Sequence, residues 1–234
     1  MEKMGLELEQ LIIHHLLLKA NLGKDIGLCH GKMGLILFFA HYYKHTGLLV
    51  YEDTADELMD ELKKEIHKEL PIGFASGVSG IGWGIEYMIQ NRFVNDDSLK
   101  VCNAMDKKIM EKDPRRISDY SLDTGLEGIL HYVLAHIKGV KSQHNVLPFD
   151  KTYLFDLYQA VSIVPQNVEL SENFKLLSSK YSSFYTGGEL DYSLHLSFIP
   201  EDLEIEKKKL NMYPLGLKNG LSGYLLKKQI LNSL

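Results

Sequence analysis

The sequence predicts an all-α fold, specifically an α/α toroid in the form of an incomplete or open arc of about five helical hairpins. Two observations carry that prediction. A glycine-rich octapeptide occurs four times, each time followed by apolar residues at helical spacing. Between the copies lie amphipathic, more polar stretches of helical length.

The four copies are Gly27-Leu28-Cys29-His30-Gly31-Lys32-Met33-Gly34, Gly73-Phe74-Ala75-Ser76-Gly77-Val78-Ser79-Gly80, Ser121-Leu122-Asp123-Thr124-Gly125-Leu126-Glu127-Gly128 and Gly216-Leu217-Lys218-Asn219-Gly220-Leu221-Ser222-Gly223. Their last glycines are 46, 48 and 95 residues apart, so the final gap is about twice the others, as if one copy had lost its glycines. Glycine inside a helix costs about 1 kcal/mol relative to alanine. Four repeats of the cost point to a shared geometric need, the close approach of neighbouring helix ends or of a ligand to bare backbone.

In chain order, residues 3–20 read as an amphipathic helix, the outer partner of the first motif helix. That helix runs from Gly31 to Thr46, with Gly47 as its C-cap. Tyr51 to Leu70 reads as its more polar companion. A second inner helix follows Gly77, and Ser98 to Lys112 is the next outer one, closed by Asp113-Pro114. The third copy opens the cleanest apolar stripe of the chain, Leu126, Ile129, Leu130, Val133, Leu134 and Ile137. Lys141 to Pro148 reads as a loop and Phe149 to Val164 as a helix. Ser171 caps a helix from Glu172 to Tyr185, at the place where the missing copy belongs. Asp191 to Phe198 alternates like a short strand or is an extended linker. Glu201 to Leu210 is a charged helix candidate that leads to the fourth copy.

The 234 residues carry 45% hydrophobic and 24% charged positions, ordinary for a soluble chain, and the uniform repeat favours a single domain over residues 1–234. A net charge of −5 without a large Lys/Arg cluster argues against a nucleic-acid partner. Two cysteines give no disulfide framework, no apolar run is long enough to span a bilayer, and Met1-Glu2-Lys3-Met4 does not open a secretory signal. A cytoplasmic location is expected. An open arc exposes apolar helix faces, so homo-oligomerisation is expected as well.

The octapeptides resemble the inner-helix motifs of the lanthionine synthetase C-like family. The resemblance implies an α/α toroid and a part in the maturation of modified peptides. In catalytic members two cysteines and a histidine hold a zinc ion at the toroid mouth. The zinc activates a peptide thiol, which adds to a dehydrated Ser or Thr and closes a thioether ring. Cys29-His30-Gly31 matches one family metal motif, so Cys29 and His30 are the candidate zinc ligands. Here, however, the motif stands in the first repeat rather than a late one, and the only Trp, in Gly82-Trp83-Gly84, has no Cys beside it. A catalytic zinc needs three protein ligands, and Cys102 reads as a core residue of an outer helix.

Three further candidates for a site at the toroid mouth are Glu86, Asp123 and Glu127. Paired carboxylates there would suit carbohydrate chemistry. The plainer reading is that Asp123 caps a helix and Glu127 faces its positive end. Glu86, alone on an apolar helix, needs a partner such as His131, His41 or Lys32. His41 and His45 have i, i+4 spacing, and His131 and His136 lie on the third inner helix. The leading expectation is a non-catalytic, shortened member that binds a peptide or partner protein. The alternatives are a zinc-dependent peptide cyclase using Cys29 and His30, and a toroidal carbohydrate-active enzyme.

Overall fold

The computed structural model describes residues 2–66, 69–165, 167–200 and 203–229. Its nine described α-helices are α1 (Glu2–Lys19), α2 (Lys32–Thr46), α3 (Leu49–Glu65), α4 (Val78–Gln90), α5 (Ser98–Met110), α6 (Leu126–Gln143), α7 (Lys151–Ser162), α8 (Glu172–Tyr185) and α9 (Leu221–Gln229). Short 3₁₀ turns occupy Ala20–Leu22, Pro114–Arg116 and Lys207–Met212. The described residues contain no strand, so the all-α expectation holds. Residues 191–196 are irregular, which leaves the extended-linker reading. The charged helix expected from Glu201 reduces to the Lys207–Met212 turn; residues 201–202 lie outside the described ones.

The helices form two compact units, one of residues Met1–His67 with Leu196–Leu234, the other of Lys68–His195. In the first unit α2 is buried from Lys32 to Tyr42, and the amphipathic α3 packs along it. Gly47 closes α2 in the left-handed conformation (φ 71°), its N–H bonded to the Tyr43 carbonyl. The last motif helix, α9, lies beside α2, the first. The outer partner of α9 is α1, tied to it by Lys228 and Glu9 at 3.1 Å. The expectation that α1 serves the first motif helix thus shifts to the last one, because α3 already covers α2.

In the second unit α4 packs on α6, α5 covers both, and α8 follows α6 with α7 against it. The octapeptides open α2, α4, α6 and α9, as their spacing predicts. Each chain segment wraps back so that its own carbonyls cap the helix it opens. The N–H groups of Lys32, Val78, Leu126 and Leu221 donate to the carbonyls of Asp25, Pro71, Asp119 and Pro214 at 2.8–2.9 Å, seven residues back in every case. This satisfies helix donors that would otherwise be orphaned, and it explains why α2, α4 and α6 have glycine at the N-cap with no side-chain bond. The wrap leaves no room for a side chain: a Cβ on Gly31, Gly77 or Gly125 would stand 2.3–2.4 Å from those same carbonyl oxygens, and one on Gly220 would stand 2.8 Å from that of Pro214.

Neighbouring motifs also meet through bare backbone. Lys218 N–H donates to the Cys29 carbonyl at 2.9 Å, while Phe74 and Ala75 N–H donate to the Asp123 carbonyl at 2.9 and 3.0 Å. Cys29 and Asp123 hold the same third place in their octapeptides. The opening glycine of each donor motif, Gly216 and Gly73, abuts the backbone of that same place. The packing reading of the glycines is therefore the one the contacts support.

The helix at the missing copy's place, α8, is capped differently. Ser171 Oγ accepts from Phe174 N–H at 2.9 Å, a side-chain cap where the others use backbone. Ser171→Ala is expected to lower stability by about 1 kcal/mol, the usual value of such a cap. Urea unfolding checks this, and an unchanged midpoint would show the cap to be idle.

Candidate functional site

Two polar clusters lie inside the second unit. The first is built where α4, α5 and α6 meet. Glu86 stands eight residues into α4, about 12 Å from its start, and has no exposed surface. It lies within the second inner helix, as the sequence reading has it, about two turns from the octapeptide that opens that helix. The partner it needs is His136 of α6, whose Nδ1 is 2.6 Å from Glu86 Oε1. None of the cations named as candidate partners takes that role. The other nitrogen of His136, Nε2, is 2.9 Å from Asp106 Oδ2 on α5, and Tyr132 donates its hydroxyl proton to Asp106 at 2.5 Å. Ser98 Oγ donates to Glu86, and Gln90 Nε2 donates to Glu86 Oε2 at 2.7 Å.

Both carboxylates face one imidazole, so the imidazole is charged. Burial by itself pushes His136 down, but the hydrogen bonds and charges of Asp106 and Glu86 outweigh it and raise it to about 9. Gly139 makes the space for this arrangement, since a Cβ there would stand 2.0 Å from Glu86 Oε2. Cys102 completes the cluster, fully buried with Sγ 4.0 Å from Glu86 Oε1. Burial first, then the nearby carboxylates, push its thiol well above the usual range. The sequence signal for this cluster was Ser98, Cys102 and Asp106 at i, i+4 and i+8 on one face of α5. It is masked because apolar Leu99, Met105 and Ile109 share the same helix.

The second cluster follows Glu127, nearly buried at the start of α6. Ser171 Oγ donates to Glu127 Oε2 at 2.5 Å and Asn173 Nδ2 donates to Oε1 at 2.7 Å. Asn173 Nδ2 is also 3.0 Å from His131 Nε2, which makes that nitrogen the acceptor and leaves the proton on Nδ1. Burial drives His131 down to about 4, so the imidazole is neutral at pH 7. Its Nδ1 is 2.8 Å from the Tyr192 hydroxyl, which also accepts from Trp83 Nε1 at 2.8 Å. Glu127 is thus anchored by α8, not merely facing the helix end. Asp123 contributes its backbone carbonyl to the motif contact described above.

The remaining candidates separate. Cys29 is fully buried while His30 is exposed, so adjacent side chains leave the backbone on opposite sides. Among the described residues, no third His, Cys, Asp or Glu forms a ligand group with them. The group of potential ligands that does form is Glu86, Cys102 and His136, whose donor atoms lie within 4.8 Å of one another. Thiolate, imidazole and carboxylate suit zinc, and Asp106 would orient the imidazole from its far side. Two ligands of one tetrahedral zinc stand about 3.3 Å apart, whereas Nδ1 and Oε1 here are at hydrogen-bond distance. His41 is buried and pushed down to about 4 by burial and by Lys44, while His45 is exposed. Among the described residues no helix is long and apolar enough to cross a membrane.

No curated protein matches the chain significantly. Residues 6–93 match the family model described as lanthionine synthetase C-like protein. The matched span contains the first two octapeptides with α2 and α4, the segments whose backbone-capped helix starts are described above. Over that part of its length, under half of the whole, the chain is similar to the lanthionine synthetase C-like family.

Proposed function

We propose that the chain is a lanthionine synthetase C-like protein that binds a peptide in modified-peptide maturation and does not itself close thioether rings. The observation that carries this reading is the divergence of Cys29 and His30. A thiol sealed in the core and an imidazole in solvent do not jointly chelate an ion. The sequence has only one other cysteine, Cys102. Glu86 supports the same reading: charge-paired with His136 and closed off from solvent, it is unavailable as the acid or base of a carbohydrate pocket.

The test is a peptide carrying both a cysteine and a dehydroalanine. Saturable binding is expected, with the peptide's thiol still open to alkylation at the rate seen without protein. Thiol loss accelerated by the protein would overturn the non-catalytic reading.

A second reading, a zinc-dependent cyclase, is favoured by one observation, the donor set of Glu86, Cys102 and His136. Zinc held there would supply a Lewis acid that deprotonates thiols. Stoichiometric zinc in purified protein, lost in Cys102→Ala and kept in Cys29→Ala, would support it. Absence of zinc from protein refolded with excess metal would end it.

A further inference from the structure

The segment after α8 is an extended strand-like stretch with one deep anchor. Gly187, at φ 99°, turns the chain out of α8. Residues 189–195 then run without helix or strand, and among the described residues they make no backbone–backbone hydrogen bond. Tyr192 is nevertheless only 4% exposed.

What holds Tyr192 is a pocket built from helices α4 and α6. Trp83 Nε1–H donates to its hydroxyl at 2.8 Å, and His131 Nδ1 lies 2.8 Å from the same oxygen. The His131 ring meets the tyrosine ring edge to face, with centroids 6.0 Å apart. Phe74 backs both Trp83 and His131, at 5.8 and 5.5 Å. About two turns along α6 from His131, Lys138 Nζ donates to the Tyr192 backbone carbonyl at 2.6 Å. Lys180 of α8 pairs with Asp191 at 3.0 Å. Trp83 and His131 meet the hydroxyl, His131 also the ring, Lys138 the main-chain carbonyl and Lys180 the preceding acidic side chain.

We propose that this face of α4 and α6 is a docking site for an extended acidic peptide bearing a tyrosine, filled here in cis by the chain's own residues 189–195. The inference rests on the peptide-binding reading above and names the chemistry of the peptide. An aromatic box with an indole N–H and an imidazole at its end selects a phenol over a plain phenyl ring, because a hydroxyl partner lost from a closed pocket leaves polar groups unpaired. Lysines 138 and 180 select a backbone carbonyl and a negative side chain beside it. The cis segment is displaceable because its own backbone is not woven into a sheet or helix. Its tether nonetheless gives it an effective concentration of about millimolar, so a free peptide competes poorly while Tyr192 is intact.

Trp83 is the sole tryptophan and touches the anchor, so its emission reports occupancy. The probe is the synthetic heptapeptide spanning Glu189 to His195. With the Tyr192→Ala protein, titration is expected to restore wild-type emission saturably, whereas the wild-type protein shows at least tenfold weaker binding. A heptapeptide with phenylalanine for tyrosine is expected to bind the variant about tenfold more weakly than the parent peptide. Equal binding of the two peptides, or no saturable restoration in a variant with native circular dichroism, overturns the proposal. Should Tyr192→Ala fail to fold, Tyr192→Phe serves. It is expected to admit the tyrosine peptide more readily than wild type does, and equal affinity for both proteins counts against the site. The cysteine–dehydroalanine peptide separates the two readings. If it binds wild type and Tyr192→Ala alike while the heptapeptide binds neither, this site falls and the general peptide-binding reading survives.

Discussion

Replacing His136 with alanine is expected to destabilise the protein by about 3–5 kcal/mol, the usual penalty for removing one partner of a buried ion pair. The variant leaves Glu86 and Asp106 facing each other's field across an apolar gap, with no cation between them. Their other partners, Ser98, Gln90 and Tyr132, donate hydrogen bonds but carry no charge. Adding Glu86→Gln and Asp106→Asn to a His136→Leu background is expected to recover much of the loss, since the unpaired charges go with the cation. Urea unfolding of chelator-treated protein measures both. A His136→Ala variant within about 1 kcal/mol of wild type would mean the triad is not a charge-paired network.

The same residue sets a pH dependence. His136 in the fold stands at about 9, above its ordinary value near 6.5, so the folded state holds the proton more tightly. The stabilisation is complete below about pH 6.5 and fades as pH rises through 9. At about 1.4 kcal/mol for each pH unit, its scale is about 3 kcal/mol. His131 and His41 act in the opposite sense. Each is pushed down to about 4, so its contribution is complete above about pH 6.5 and is lost as pH falls through 4. The fold is therefore expected to be most stable near pH 6.5. Unfolding midpoints that stay flat from pH 6.5 to 9 would contradict the assignment of His136.

The second large effect is expected at Gly128. Glycine to alanine inside an ordinary helix gains up to about 1 kcal/mol. Here the added methyl would stand 2.3 Å from the Leu122 carbonyl oxygen and 2.4 Å from Phe74 Cβ. The first atom belongs to the segment that caps α6, the second to the neighbouring motif. Neither is the loose end of a flexible side chain. Gly128→Ala is expected to cost about 3 kcal/mol through displaced backbone, reversing the sign of the ordinary effect. Gly23 supplies the control: nothing lies within 4 Å of its notional Cβ and its φ is −76°. Gly23→Ala is expected to change stability by no more than about 0.5 kcal/mol or to raise it slightly. Equal effects at the two positions, read by thermal unfolding, would show that the octapeptide glycines are not packing requirements.

These two predictions mark different depths of legibility. The octapeptides announce helix starts because glycine is the one residue whose repeated appearance at fixed spacing has a steric reading, and each stands where the chain folds back on its own helix. Ser171 was legible for the same kind of reason, a local cap before Glu172. The end of α3 at Glu65 was not legible, because the apolar spacing continues through Ile66 to Leu70 while the chain must already turn to bring Pro71 onto the start of α4.

What the sequence by itself determined is the helices that the octapeptides open, the amphipathic ones between them, the side-chain cap at Ser171, and Glu86 as a charge that must be answered inside an apolar helix. All of these depend on neighbours within a turn or two. The tertiary structure alone decided which cation answers Glu86 and that Asp106 and Cys102 join it. It also decided that Cys29 and His30 part company, and that Tyr192, 109 residues from Trp83 along the chain, fills its pocket. Such pairings depend on which helix faces lie together, and one-dimensional spacing carries no information about contacts between helices.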